Sequence, residues 1–406
     1  MKANVRVDVS GGAIADPAER LRCYVTFPCL DFQVPQLTRT TSAELIWTSK
    51  GASRFKYVAG VFAFRGNETA GTIINPDVLP NLVNSDTGVI THSYAAFAEG
   101  AYDLLDSLAL TVGGRYSHDR KKGTVIANRV TAATPIPGPD AGWGSFTPRY
   151  KLDPSSNLYF TYSKGFKSGV INPVIVLPGS STEALVAAPE SLDAFEVGFK
   201  KGAHRLSLAA SAFYYQYKDI QVQNFSGLTI LTSNAAKASI YGIDVDATWN
   251  VSDEFSLRAA GSWLPKAKYN DFDGAIYYVP PLSASGLTTY SESVAGKRLL
   301  RTPKITANLT GHYKRSTQAG AFDATVSVYY TSRSPLELGY RVYAKAHEQI
   351  NATFGFTSDE SRFSVAFFAN NITNKAFVQG LVPTAAADMA VYNPPRQVGF
   401  TLKYGY

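Results

Sequence analysis

Cysteine is nearly absent from this chain of 406 residues: Cys23 and Cys29 are the pair it has. A disulfide scaffold needs more, and no zinc-type spacing accompanies them. The two allow one disulfide and equally allow two free thiols. Charge is also scarce. Asp, Glu, Lys and Arg make up 17%, below the roughly 25% of a typical globular protein. No apolar run approaches the roughly 20 residues of a membrane helix. The opening MKANVRVDVSGG lacks the apolar core of a secretory signal. The five histidines, His92, His118, His204, His312 and His347, share no metal-ligand spacing. Neither a nucleophile elbow nor a phosphate-binding loop is present. These gaps exclude a helical membrane bundle and a disulfide-rich module. They leave no recognisable enzyme, no catalytic residue and no cofactor site to name.

Aromatics are abundant: 13%, with 24 Tyr and 23 Phe. Mean hydropathy is near zero at −0.08. Many aromatics with few charges suit strands that alternate between lipid and water. The net charge is +7. Lys and Arg are spread along the sequence without a run or helical stripe, which argues against nucleic acid as a partner. A basic rim or lumen meeting anionic lipid or solutes accounts for the charge.

Two-residue alternation is the dominant pattern. In the last ten residues Val398, Phe400, Leu402, Tyr404 and Tyr406 alternate with Gln397, Gly399, Thr401, Lys403 and Gly405. A strand places such sets on opposite faces. In 237–251, Tyr241, Ile243, Val245, Ala247 and Trp249 stand against Gly242, Asp244, Asp246, Thr248 and Asn250. Similar runs predict strand pairs over 42–48 and 55–64, 92–102 and 107–118, 144–152 and 157–166, and 191–200 and 205–217. Further pairs follow over 237–251 and 255–264, 302–314 and 321–332, and 347–357 and 362–372, with a last strand at the end of the chain. Short turns alternate strictly with long segments at 66–91, 119–143, 167–190, 218–236, 265–301, 333–346 and 373–396. Transmembrane barrels have short periplasmic turns and long outer loops in this order. The count is about fifteen strands, whereas single-chain bacterial barrels have even numbers. The odd count implies that strands are missing upstream of residue 41; alternatively, residues 22–27 supply a sixteenth strand.

Five stretches carry a family resemblance: FTPRYKLDPSSNLYFTYSKGFKSG (146–169), ESLDAFEVGFK (190–200), NAAKASIYGIDVDATWNVSDEFSLRAAGSWL (234–264), NITNKAF (371–377) and PPRQVGFTLKYGY (394–406). In order and spacing they resemble the C-terminal barrel of TonB-dependent outer-membrane receptors. The resemblance covers residues 41–406 and leaves 1–40 unassigned. It implies an all-β, antiparallel transmembrane barrel in the outer membrane of a Gram-negative bacterium, with about 15–16 strands of a parent that has roughly 22. It also implies active uptake of a scarce, large solute such as an iron–siderophore, powered through TonB, with the long outer loops as the ligand surface. The family's signal peptide, TonB box and plug have no counterpart here. The expectation is therefore an N-terminally truncated receptor, or the product of a broken or misassigned gene. A plug-less, porin-like channel and an inactive fragment are the alternatives.

Individual residues fit the same frame. Asp244 and Asp246 lie two apart on one face, and the inward face of a barrel is polar. Arg258 is their expected partner. Tyr102, Tyr162, Trp249 and Trp263 read as interfacial girdle residues. Trp143, Tyr277 and Tyr278 read as loop aromatics open to a ligand-stacking role. No ligand-contacting residue can be named beyond them. Asn67–Glu68–Thr69 matches a glycosylation acceptor but carries little weight in a bacterium.

Overall fold

The computed structural model describes residues 2–8, 31–51, 53–74, 85–127, 130–172, 186–226, 229–278, 289–359, 363–383 and 388–404. Sixteen strands form one antiparallel sheet. They are β1 (Lys2–Asp8), β2 (Asp31–Thr48), β3 (Phe55–Ile74), β4 (Ser85–Asp103), β5 (Leu108–Ala127), β6 (Val130–Asp153), β7 (Ser156–Lys167), β10 (Glu190–Gly202), β11 (Leu206–Ser226), β12 (Thr229–Asn250), β13 (Phe255–Asp271), β16 (Ile305–Thr317), β17 (Gly320–Thr331), β20 (His347–Ser358), β21 (Phe363–Asn370) and β24 (Gln397–Tyr404). They lie in chain order across the sheet. Four two-stranded hairpins fill the longer connections: β8 (Val170–Ile171) with β9 (Val186–Ala187), β14 (Ala275–Tyr278) with β15 (Thr289–Glu292), β18 (Ser334–Pro335) with β19 (Tyr343–Ala344), and β22 (Val378–Pro383) with β23 (Asp388–Tyr392).

The expected strand pairs are all present, and the sixteenth strand is β1. Residues 22–27, with Cys23 and Cys29, lie outside the described residues. Three expected long loops are largely strand. β3 and β4 stay paired as far as Thr72 and Ser85. β5 and β6 continue together to Ala127 and Val130, and β11 and β12 to Ser226 and Thr229.

The short turns are set by local polar side chains. At the β6–β7 turn the Ser155 N–H and hydroxyl both donate to Asp153 Oδ1 at 2.7 Å. Before β13 the Ser252 hydroxyl oxygen accepts from the Phe255 N–H at 3.0 Å. Such contacts let a short Asp or Ser segment reverse the chain.

Alternation sorts the two faces. Ala210, Val245 and Gly261 are register partners on one face, and Ser211, Asp244 and Ser262 on the other. Val245 is 41% exposed and Trp249 51%. So large an exposed apolar surface is unstable in water and stable against lipid. Exposure rises on β24, to 74% at Val398 and 68% at Phe400. Among the described residues β24 has one sheet neighbour, β21, so its other flank lacks a covering strand.

Candidate functional site

The inward face carries the polar and cationic groups. Arg258 Nη2 donates to Asp246 Oδ2 at 2.7 Å, the pairing expected from the sequence. Tyr159 donates its hydroxyl to Glu196 at 2.5 Å, and Lys200 sits 5.1 Å from the Tyr159 ring centre. His312 meets Asp323 at 2.6 Å. Arg115 lies 5.1 and 5.6 Å from the rings of Phe62 and Phe97, and its Nε donates to Ser117 Oγ at 3.1 Å. Cross-strand register brings these groups together: Phe97 faces Arg115 on β4 and β5, and Glu196 faces Thr161 on β10 and β7.

Glycines make room for the inward rings. A Cβ at Gly198 would stand 2.4 Å from the Tyr159 ring, on the strand directly opposite. A Cβ at Gly60 would stand 2.6 Å from Phe97. Each ring lies over a glycine and restores the packing that residue lacks. A groove of about 390 Å³ along this wall is lined by Tyr159, Ser211, Asp244, Asp246, Asn308 and Tyr329.

The loop end is packed rather than loose. Val222, Ala235, Ala238, Ala267 and Tyr269 from β11–β13 form a buried cluster with Phe272, Ala275, Val294, Leu299 and Leu338 from the connections above. Arg298 ties this layer down through Nε to the Thr302 carbonyl at 2.6 Å and Nη2 to the Leu264 carbonyl at 2.9 Å. Burial lowers the Arg298 pKa from its usual value. Tyr340 donates to the Arg298 carbonyl at 2.5 Å.

Glu337 organises the segment between β18 and β19. It is 3% exposed. Its carboxylate accepts the backbone N–H groups of Gly339 at 2.6 Å, Val342 at 3.1 Å and Arg341. A buried charge is tolerated because those donors replace water. Arg341 then reaches Asp388 on β23 with a two-pronged bond at 3.0 and 3.2 Å. The hydrogen bond to Asp388 raises the Arg341 pKa above its usual value. Two outer connections are thereby fastened together.

The NITNKAF stretch is a second knot. Asn371 is 2% exposed and adopts a positive φ of 49°, which Asn tolerates better than most residues. Its side chain accepts from Lys375 N at 3.1 Å and donates to the Lys375 and Pro394 carbonyls at 3.0 and 3.2 Å. Asn393 accepts from Phe377 N at 2.7 Å. His347 stacks on Phe377 with ring centres 3.7 Å apart. Farther round, Asn172 exchanges two hydrogen bonds with the backbone of Thr232 at 2.6 and 2.8 Å, anchoring the connection after β8.

Several sequence expectations are relocated. Trp143 is no loop residue: it lies within β6, in register with Arg115. Tyr277 and Tyr278 form β14, where Tyr277 stacks on Tyr290 at 6.1 Å. Tyr102 and Trp249 are exposed at strand ends, as girdle residues should be, whereas Trp263 is exposed in the middle of β13, which runs on to Asp271, and Tyr162 donates to Asp193 at 2.9 Å. Among the described residues no group of three or more His, Cys, Asp or Glu is placed to hold a metal ion. The sequence did not disclose the Glu337 cradle, the Arg341–Asp388 link or the stacking around Arg115. Each joins residues through register or loop folding, which a linear pattern does not display.

Known proteins place this geometry. The sequence profile described as "TonB dependent receptor-like, beta-barrel" matches residues 26–372. The pesticin receptor of Yersinia pestis is 21% identical over 394 residues, covering 94% of this chain and 54% of that protein. The pesticin receptor of Yersinia enterocolitica is 24% identical over 302 residues, covering 71% of this chain and 44% of its own length. Among solved structures, the ferric yersiniabactin uptake receptor of Yersinia pestis superimposes with a TM-score of 0.77 at 18% identity, covering 92% of this chain and 55% of that one. The siderophore receptor from Acinetobacter baumannii gives 0.68 at 13% identity, covering 93% and 57%. The chain thus spans about half the length of the relatives it matches. With its antiparallel sheet, lipid-facing apolar wall and outer-membrane setting, the chain belongs to the TonB-dependent receptor-like β-barrel family.

Proposed function

We propose that this chain is the barrel portion of a receptor that imports a scarce, large solute such as an iron–siderophore, with energy supplied through TonB. The observation that carries the reading is the match of nearly the whole chain to a ferric yersiniabactin uptake receptor, with a pesticin receptor matching over a similar span. The ligand surface is the loop end, where the Glu337 cradle and the Arg341–Asp388 link hold a folded rim above the polar inner wall. The same proposal takes residues 41–406 as the main body of the receptor barrel, with β1 and the start of β2 extending its sheet into the segment 1–40 that the sequence left unassigned.

Iron-starved cells expressing the gene test it by uptake of a panel of radiolabelled ferric siderophores. Import of at least one that stops on adding a protonophore supports the reading. Absence of any energy-dependent import contradicts it.

A plug-less channel is favoured by one observation. The sheet has an even number of strands, so β1 and β24 run antiparallel, as closure would require. On that reading purified protein gives steady conductance in planar bilayers and any solute flux survives the protonophore.

A further inference from the structure

The connection after β7 is fastened across the inside of the mouth. Its two described legs, 168–172 and 186–189, pair through Val170 with Ala187 and Ile171 with Val186. Gly169, Ile171, Asn172 and Ala187 are buried. On one side the legs meet β5. Lys121 Nζ donates to the Gly169 carbonyl at 2.7 Å, and a Cβ at Gly123 would stand 2.8 and 2.9 Å from two methyl carbons of Ile171. On the other side they meet β11 and β12. Gln221 donates to the Ser168 and Ala188 carbonyls, both at 3.0 Å. Asn234 accepts from the Ala188 N–H at 2.7 Å and donates to the Ala188 carbonyl at 2.9 Å. Asn172 holds the backbone of Thr232 at 2.6 and 2.8 Å.

The consecutive residues Ile171 and Asn172 therefore touch β5 and β12, although β6, β7, β10 and β11 lie between those strands in the sheet. Neighbouring strands are about 4.8 Å apart, so the five steps from β5 to β12 cover about 24 Å of wall. Two adjacent residues can bridge that distance only on the concave side. Pleat parity agrees. Lys121 and Gly123 share the face of Arg115 on β5, and Asn234 shares the face of Asp244 on β12, with unbroken register along both strands. Nearer the short turns, on the same face, lies the groove lined by Tyr159, Ser211 and Asp244.

We propose that this strap is a latched roof over the inner-wall groove, and that a large solute arriving from outside reaches the groove only after the strap is released. The ties are amide and ammonium side chains on backbone groups, which water can replace. They open without parting any strand pair of the wall. The inference concerns access to the wall and does not depend on which solute is imported.

The test uses the full chain in intact cells, in a Cys23→Ser/Cys29→Ser background. Gly123→Cys/Ile171→Cys should form a disulfide on mild oxidation, because the two side chains lie within its reach. Lys122→Cys/Ile171→Cys, with Lys122 on the opposite pleat, should not. Access is read with a fluorescent maleimide that does not cross the outer membrane. Ser211→Cys in the groove should label slowly. Adding Asn172→Ala/Asn234→Ala should speed that labelling at least about tenfold, the effect of roughly two net hydrogen bonds. Ser327→Cys, on the inner face of β17 and away from the strap, should label at the same rate with and without the release substitutions. Heat-modifiable gel mobility reports folding. If the release variant does not fold, Lys121→Met alone should still speed Ser211→Cys labelling several-fold. Neither readout requires import of any solute. Absence of the 123–171 disulfide, unchanged labelling on release, or an equal rise at Ser327→Cys would each overturn the proposal.

Discussion

Neighbouring residues on one strand do opposite work. Val245 faces lipid while Asp244 and Asp246 face the inner wall. Val245→Arg should block outer-membrane assembly, because a cation at the bilayer midplane costs about 2–4 kcal/mol on a lipid-facing strand. Asp244→Asn keeps size and hydrogen-bonding capacity and should assemble normally. Heat-modifiable mobility of membrane fractions separates the two outcomes, and equal tolerance at both positions would refute the facing. Gly198 offers a different test. Its missing Cβ is where the Tyr159 ring lies, so Gly198→Val should destabilise by about 1–3 kcal/mol through overpacking. Gly198→Val with Tyr159→Ala should recover part of that loss in denaturant unfolding.

At the scale of elements, the outer connections hold together through a few polar anchors. Glu337→Ala would leave the N–H groups of Gly339, Arg341 and Val342 without their acceptor, at about 1–3 kcal/mol for each that stays buried. Limited proteolysis should then cut within 333–346 many times faster, while the strands stay intact. Asp388→Ala should loosen the rim less, since it removes one partner of an ion pair that is partly solvent-exposed. An unchanged cleavage rate in Glu337→Ala would show that the cradle does not hold the loop.

The strand centres were legible in the sequence because lipid on one side and water on the other force a two-residue pattern. Beyond the bilayer that pressure ends. The upper parts of β5, β6, β11 and β12 therefore read as loop, although they remain paired. Trp143 was misplaced for that reason. The Asp246–Arg258 pair was legible because both residues sit on alternating runs.

For the molecule as a whole, the decisive property is a wall with lipid on one face and water on the other. Single spin labels at positions 241–249 of β12, in a background with Cys23 and Cys29 replaced by Ser, would report it in reconstituted outer-membrane vesicles. Labels at 243, 245 and 247 should be accessible to oxygen dissolved in the lipid. Labels at 242, 244 and 246 should be accessible to a water-soluble paramagnetic reagent, giving a period of two along the strand. Uniform accessibility to the water-soluble reagent at all these positions would contradict a membrane-spanning receptor wall.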